Sequence, residues 1–289
     1  RKKVKSLLVP YFIFSFITWV VWAVFSYVTH ANVDSYLMPL AQTVIAQGSG
    51  GYLVHNVPLW FVTCLFMIEV IYYFLANLSD GKILLTTMLM ATASYVLINY
   101  CTAFDFSEMP WNIEVALLGI PFYAVGHLAV KKWSNEGLIN IVNHHKKGSW
   151  IIVFLLATLV LIGSIYNGSI SFGHATLGKN VFLGYACALM GVTLMITLCI
   201  LLSEFPNKIV EGRLFKSLIW FGQNSFNAMA IHNPIKGIVA VIVGMAFHCG
   251  SYAVSFNGFY STITFFITLF LTVVGLLIIN KITRIFKHE

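Results

Sequence analysis

The chain of 289 residues is 59% hydrophobic and 9% charged, with a mean hydropathy of +0.85, against roughly 25% charged residues in soluble domains. This excludes a soluble globular class and predicts an all-α, polytopic integral membrane bundle in a lipid bilayer. A formal net charge of +7 would suggest nucleic acid for a soluble chain, but here the charge sits in short loops and reads as a topology signal, so no nucleic-acid partner is expected.

In chain order, Arg1, Lys2, Lys3 and Lys5 form a basic run ahead of Pro10, Tyr11 and an apolar segment that reaches about Val28. Such a run anchors a span at the membrane surface, and its clustered donors also suit phosphate groups. Residues 30–57 follow as an external segment with His30, Asp34 and glycines at 48, 50 and 51. Its apolar stretch from Tyr36 to Ala46 is too short to span and is expected to lie on the bilayer or dip into it. The next span, Pro58 to Asn77, carries Trp60, Phe61 and, near the expected midplane, Glu69. A carboxyl at that depth is either a protonated packing residue or a functional one.

A tight turn at Ser79-Asp80-Gly81 returns the chain through Ile83 to Tyr100, and the next loop holds Asp105 and Glu108 without Lys or Arg. Ile113 to Val130 crosses back with Pro121 inside it, and a basic loop is expected over 131–149. His144 and His145 in that loop read as a solvated pair, since no further metal ligands are spaced nearby. Spans follow at Trp150–Tyr166 and Val181–Ser203, separated by a Gly/Ser-rich external loop, then a charged loop at 204–217. The last span runs from about Phe259 to Asn280. The five cysteines are scattered without metal spacing and read as small buried hydrophobes.

This gives eight spans, and the charges test the alternation. Of the 17 Lys and Arg, 15 fall on one side; Lys179 alone is on the other, and Lys236 lies within a span. That asymmetry predicts both ends of the chain on the cytoplasmic side.

The stretch from Ser217 to Phe247 is the most polar of the spans, with Gln223, Asn224, Ser225, Asn227, His232, Asn233 and Lys236. Ionisable groups at membrane depth mark functional sites by default. As one helix, at ~1.5 Å per residue, the stretch exceeds the ~30 Å hydrocarbon core, so it is expected to tilt, to break at Pro234, or to begin in the interface. Pro234 removes a backbone donor beside His232 and predicts a kink. A histidine here is either a general base or a buried ring satisfied by Asn or Ser. Lys236 shares the face of His232 if the helix continues. No phosphate-binding loop, zinc-protease motif or nucleophile elbow is present.

Four motifs stand in order: the basic run with Leu7-Leu8-Val9-Pro10-Tyr11-Phe12, Pro58-Leu59-Trp60-Phe61-Val62, Pro121-Phe122-Tyr123-Ala124-Val125-Gly126-His127 with Lys131-Lys132, and Gly222-Gln223-Asn224-Ser225 with His232. In this order the chain resembles membrane acyltransferase family 3, closest to its sugar O-acetylase branch with fucose 4-O-acetylase-like proteins. The resemblance covers essentially the whole chain as a single domain, residues 1–289. It implies a bacterial inner-membrane enzyme that moves an acetyl or other acyl group from acyl-CoA to a hydroxyl of a cell-surface or lipid-linked carbohydrate, with no bound cofactor.

By that resemblance Arg1, Lys2, Lys3 and Lys5 hold CoA phosphates, and Asn224, Ser225, His232 and Lys236 line the path of the reactants. Trp60 and Glu69 complete the candidate binding set. Members usually have ten spans, with an Arg/His motif in the first. The chain opens on Arg-Lys-Lys without an initiating Met, so two further spans are expected upstream, carrying the principal His and leaving His232 a supporting role. The alternative is a transporter or flippase for a glycan or lipid-linked intermediate. Transporters often show internal repeats with paired broken helices, and only one such helix is visible here.

Overall fold

Hydrocarbon offers a backbone no water to bond, so each long apolar run satisfies its own N–H and C=O groups by coiling into a helix. The computed structural model describes residues 2–48, 52–100, 109–174, 176–203 and 212–285. Arg1, Gly50, Gly51, Cys101, Asp105, Glu108, Lys208, Lys287 and most of the expected 204–217 loop lie outside the described residues. Among those described, eight helices are long and apolar enough to cross a membrane, in the order expected.

The elements are α1 (Val9–Val28, preceded by a π-helical turn over Val4–Leu8), α2 (Met38–Ile45), α3 (Trp60–Leu75), α4 (Asp80–Tyr100), α5 (Ile113–His144) and α6 (Lys146–Asn167). A two-residue antiparallel pair, β1 (Ile170–Ser171) and β2 (Thr176–Leu177), precedes α7 (Val181–Ser203). Then come α8 (Arg213–Gln223), α9 (Ser225–Ala246), α10 (Ser251–Phe256) and α11 (Gly258–Ile285).

Two expectations need correction. The basic stretch 131–149 is not a loop. Helix α5 continues to His144 with one break at Ser134 (φ 53°, ψ 168°), and α6 starts at Lys146. The hydroxyl of Ser134 accepts the Gly137 N–H at 3.1 Å, so it caps a second helical segment that leaves the span. The long polar stretch does break, but at Asn224 (φ −101°, ψ 13°) rather than at Pro234. The short α8 before the break carries Phe215, Leu218 and Phe221 at helical spacing with Arg213, Lys216 and Gln223 off that stripe, the pattern of an interfacial helix.

The chain divides into two compact units, Arg1–Phe66 with Lys216–Glu289, and Met67–Phe215. In the second unit α4 packs on α5 and α6 on α7. The Tyr185 hydroxyl on α7 donates to Leu118 O on α5 at 2.6 Å, and Asn167 at the end of α6 bonds Leu177 O and Asn180 N beyond the small hairpin. In the first unit the segment after α1 folds back on it. Tyr11 Oη donates to Thr43 O and Trp19 Nε1 to Tyr36 O, both at 2.7 Å, and α2 ends at Ala46 in the left-handed region. Gly48 meets the Trp60 ring so closely that a Cβ there would come within 2.6 Å of Trp60 Cγ. The result buries Ala46, Gln47, Leu53, His55 and Asn56.

Helix α9 runs unbroken through Pro234. Proline has no N–H, so the carbonyl four residues back, that of Ala230, loses its helical donor. Asn56, wholly buried just before α3, supplies one: its Nδ2 donates to Ala230 O at 2.6 Å and lies 3.5 Å from Thr18 Oγ1 of α1. A double-mutant cycle tests this. Asn56→Ala should lower stability by about 1–3 kcal/mol, the cost of a buried acceptor left unpaired. In a Pro234→Ala background, where a backbone N–H returns to Ala230 O, the same change should cost measurably less in detergent unfolding; equal losses in both backgrounds would remove this account.

Candidate active site

Helix α9 places its polar residues by spacing. Ser225, Ala228, Met229, His232 and Lys236 recur every three or four residues, so they share one face and line one wall of a cavity of about 600 Å³. The facing wall comes from α11, where Ser261, Thr264, Thr268 and Thr272 recur at the same spacing, with Phe221 of α8 and Ser255 of α10 completing it. The two helices approach closely: a Cβ at Gly275 would come within 2.9 Å of Ile231 Cδ1. The buried hydroxyls of Thr264 and Thr268 have no hydrogen-bond partner.

His232 is fixed by its own helix. Its Nδ1 lies 3.1 Å from Ala228 O and 2.9 Å from Met229 O. Carbonyls only accept, so Nδ1 carries a proton, and Nε2 is the ring nitrogen left to meet the cavity's contents. Lys236, one turn on, lines the same cavity and is exposed to it. Among the described residues no carboxylate pairs with Lys236.

A second cavity, of about 540 Å³, lies on another face of α9. Its lining includes Asn233, Pro234, Lys236 and Gly237 from α9, Trp22, Ser26 and Thr29 from the end of α1, and His55. Lys236, Ala240 and Ser255 border both cavities. His55 is 2% exposed and neither ring nitrogen has a hydrogen-bond partner. Burial lowers its pKa to about 4, so the ring is neutral.

An acyltransferase-domain family model, that of acyltransferase family 3, matches residues 1–281. The chain belongs to this family. No curated protein and no solved structure matches it. It is therefore a multi-pass membrane acyltransferase.

The expected site residues distribute as follows in this acyltransferase. His232, Ser225 and Lys236 come together in the first cavity. Asn224 sits at the α8–α9 break, where its Nδ2 donates to Trp220 O and its Oδ1 accepts from Asn280 Nδ2 at 2.9 Å, so it ties α11 to the base of α9. Trp60 packs against Gly48 and Phe61 and lines neither cavity. Glu69 belongs to the second unit, where it is hydrogen-bonded to Tyr123; the ring of Tyr72 stacks edge-on to Tyr123 at 4.7 Å and lies 5.4 Å from that of His127. Lys2, Lys3 and Lys5 are exposed around the π-helical turn before α1, and Arg1 lies outside the described residues. Among the described residues no three of His, Cys, Asp and Glu gather as a metal site.

Sequence reasoning missed His55, Asn56 and the hydroxyl stripe of α11. The stripe was visible as Ser and Thr at spacings of three and four. The polar pair His55-Asn56 stood directly before the Pro58-Leu59-Trp60 motif. A pH dependence follows from His55. Between about 4 and the ordinary 6.5 the unfolded chain binds a proton that the folded chain does not, so stability rises with pH across that window and falls as pH is lowered through it. Thermal unfolding in detergent should show this slope, and His55→Gln should flatten it; an unchanged slope would contradict a buried neutral ring.

Proposed function

We propose that the chain is an O-acyltransferase that moves an acetyl group from acetyl-CoA, or a similar acyl group from its CoA thioester, to a hydroxyl of a cell-surface or lipid-linked carbohydrate. The observation that carries this reading is the pairing of His232 and Lys236 in one cavity, in a chain that belongs to an acyltransferase family. The resemblance leaves His232 a supporting role, but its Nε2 is the base that this cavity offers: the acceptor hydroxyl gives its proton to Nε2 while its oxygen attacks the thioester carbonyl carbon. The Lys236 ammonium stabilises the oxyanion that forms. The carbon–sulfur bond then breaks, the thiolate takes the proton back from His232, and the products are the ester and free CoA. Lys2, Lys3 and Lys5 hold the CoA phosphates, with Arg1 beside them in the sequence.

The donor is made inside the cell, so the basic run faces the cytoplasm of a bacterial inner membrane, in keeping with the one-sided distribution of Lys and Arg. Cysteines introduced at Asp34 and Lys179 should label with an impermeant maleimide from outside the cell, and one at Lys146 should not. The reverse pattern would overturn this orientation.

The reaction itself is tested with the purified chain in proteoliposomes, following free thiol release from acetyl-CoA with sugar acceptors. His232→Ala should lower kcat on the order of a hundredfold. A Lys2, Lys3 and Lys5→Gln triple variant should instead raise the KM for acetyl-CoA. Glycan flux across the bilayer without thiol release would replace this reading with transport.

A further inference from the structure

The α11 wall of the first cavity reads as polar in the sequence, but its hydroxyls are already engaged or hidden. That of Ser261 is turned back onto Val254 O and Ser255 O, and that of Thr272 donates to Thr268 O. Those of Thr264 and Thr268 are shielded, so neither residue offers its oxygen to the cavity. The ionisable groups of the lining, His232 and Lys236, stand about one turn apart on α9.

The cavity also has a direction. Asn224 at the start of α9 is bonded to Asn280, and Lys281 and Arg284 follow on α11. The end at Phe221 and Ser225 is therefore the one near these cations. From Ser225 the lining continues along α9 to Ala240, ~22 Å at ~1.5 Å per residue. There it ends against a packed cluster, in which Val254 of α10 is buried with Val239 and Val243 under Tyr260 and Ile263. Lys236 is four residues short of Ala240, which leaves ~6 Å of cavity past it. Ala240, Val254 and Phe265 line that end with apolar surface.

We infer that the far end of the first cavity receives the acyl group of the donor, and that this group is a short hydrocarbon chain longer than acetyl. This rests on the acyl-transfer reading above and names its acyl group. The CoA thioester enters from the cationic end, where its phosphates stay. Its carbonyl lies between His232 and Lys236, and the chain runs on towards Val254. Acetyl puts a single methyl past the carbonyl and leaves the end by Ala240 and Val254 empty; butyryl fills it. Among the lining residues past Lys236 an anion meets no cation, and a sugar meets one unengaged hydroxyl, that of Ser255. Hydrocarbon is the chemistry this end recognises. The bonds exchanged are the same for either chain: the carbon–sulfur bond breaks, the ester carbon–oxygen bond forms, and the acceptor's proton ends on the thiol.

The test uses the full chain in proteoliposomes with acetyl-, butyryl- and decanoyl-CoA, following thiol release to methyl glucoside and methyl fucoside. Calorimetric binding of acetyl- and butyryl-CoA in detergent is a second readout that needs no turnover. Each methylene buried is worth roughly fourfold, so butyryl-CoA should exceed acetyl-CoA roughly fifteenfold in kcat/KM and in affinity. Decanoyl-CoA, too long for the space before Val254, should fall below butyryl-CoA. Ala240→Leu should remove most of the butyryl advantage, returning the ratio of the two to within roughly fourfold. Should that variant fail to fold, Thr264→Leu narrows the same end from α11 without breaking a hydrogen bond, and the same loss of ratio is expected.

Equal rates and affinities for acetyl- and butyryl-CoA, or a ratio that neither substitution moves, would overturn the inference while leaving the transferase reading intact. A rise that continues to decanoyl-CoA would also overturn it, since that is partition into the bilayer. Tighter binding of butyryl-CoA that a substitution removes, in a chain that never releases thiol, would keep the acyl site and remove the transferase reading. Binding of neither thioester would remove both.

Discussion

The hydrogen bond from Asn56 to Ala230 O is the contact on which the arrangement of the first unit turns. A proline inside a helix leaves one carbonyl without its donor, and in hydrocarbon that vacancy costs several kcal/mol unless another group fills it. Asn56 fills it from outside the helix, so α9 crosses Pro234 without breaking. The same bond has a second effect. It pins the start of α3 to the middle of α9, and with it His55, one residue away, to the turn that carries Asn233 and Lys236. A repair of the backbone thereby sets the positions of side chains.

Helix α9 then works as a partition. Residues recurring at three and four, from Ser225 to Lys236, face the cavity shared with α11, while Asn233, Pro234 and Gly237 face the cavity shared with α1. Lys236 lies on the boundary between the two faces. The polar groups of the unit fall into two sets by what satisfies them. Asn224, bonded to Trp220 O and Asn280, and the Nδ2 of Asn56 hold helices together. His232 Nε2 and Lys236 have no protein group to bond among the described residues, and both residues line a cavity; the buried Gln47 Nε2, Asn56 Oδ1 and His55 ring nitrogens also lack a partner. At membrane depth an unpartnered polar group that lines a cavity is one that water or a ligand can satisfy.

Much of this was legible in the sequence. Eight apolar runs gave eight crossing helices, because run length against bilayer thickness is a nearly sufficient signal. The cluster around His232 and Lys236 was legible because polar residues in an apolar run are conspicuous. The errors have physical causes. Pro234 looked like a break because a local rule assigns the lost hydrogen bond to the helix alone, and the compensating donor lies 174 residues earlier in the chain. Asn224 looked like one more polar residue, yet it is where the interfacial α8 ends and the spanning α9 begins. The stretch 131–149 looked like a loop because Lys and His are hydrophilic, but hydrophilicity alone does not stop a helix, and Ser134 restarts one. His55 was passed over because nothing in its neighbours reveals burial; that follows from the fold of the segment after α1.

The position of Lys236 connects these points. A lysine in a span normally acquires a carboxylate partner, which lowers its cost and also cancels its field. Here Glu69, a carboxyl within a span, is hydrogen-bonded to Tyr123 in the other unit, and no acidic side chain among the described residues pairs with Lys236. Its charge therefore remains available to whatever negative charge develops in the cavities it borders. At an effective dielectric of about 20 an opposite charge ~4 Å away gains about 4 kcal/mol, against about 1 kcal/mol in bulk water. An ammonium left unpaired is a liability to a resting membrane helix and an advantage only during a reaction that creates an anion beside it, as attack on a thioester carbonyl does.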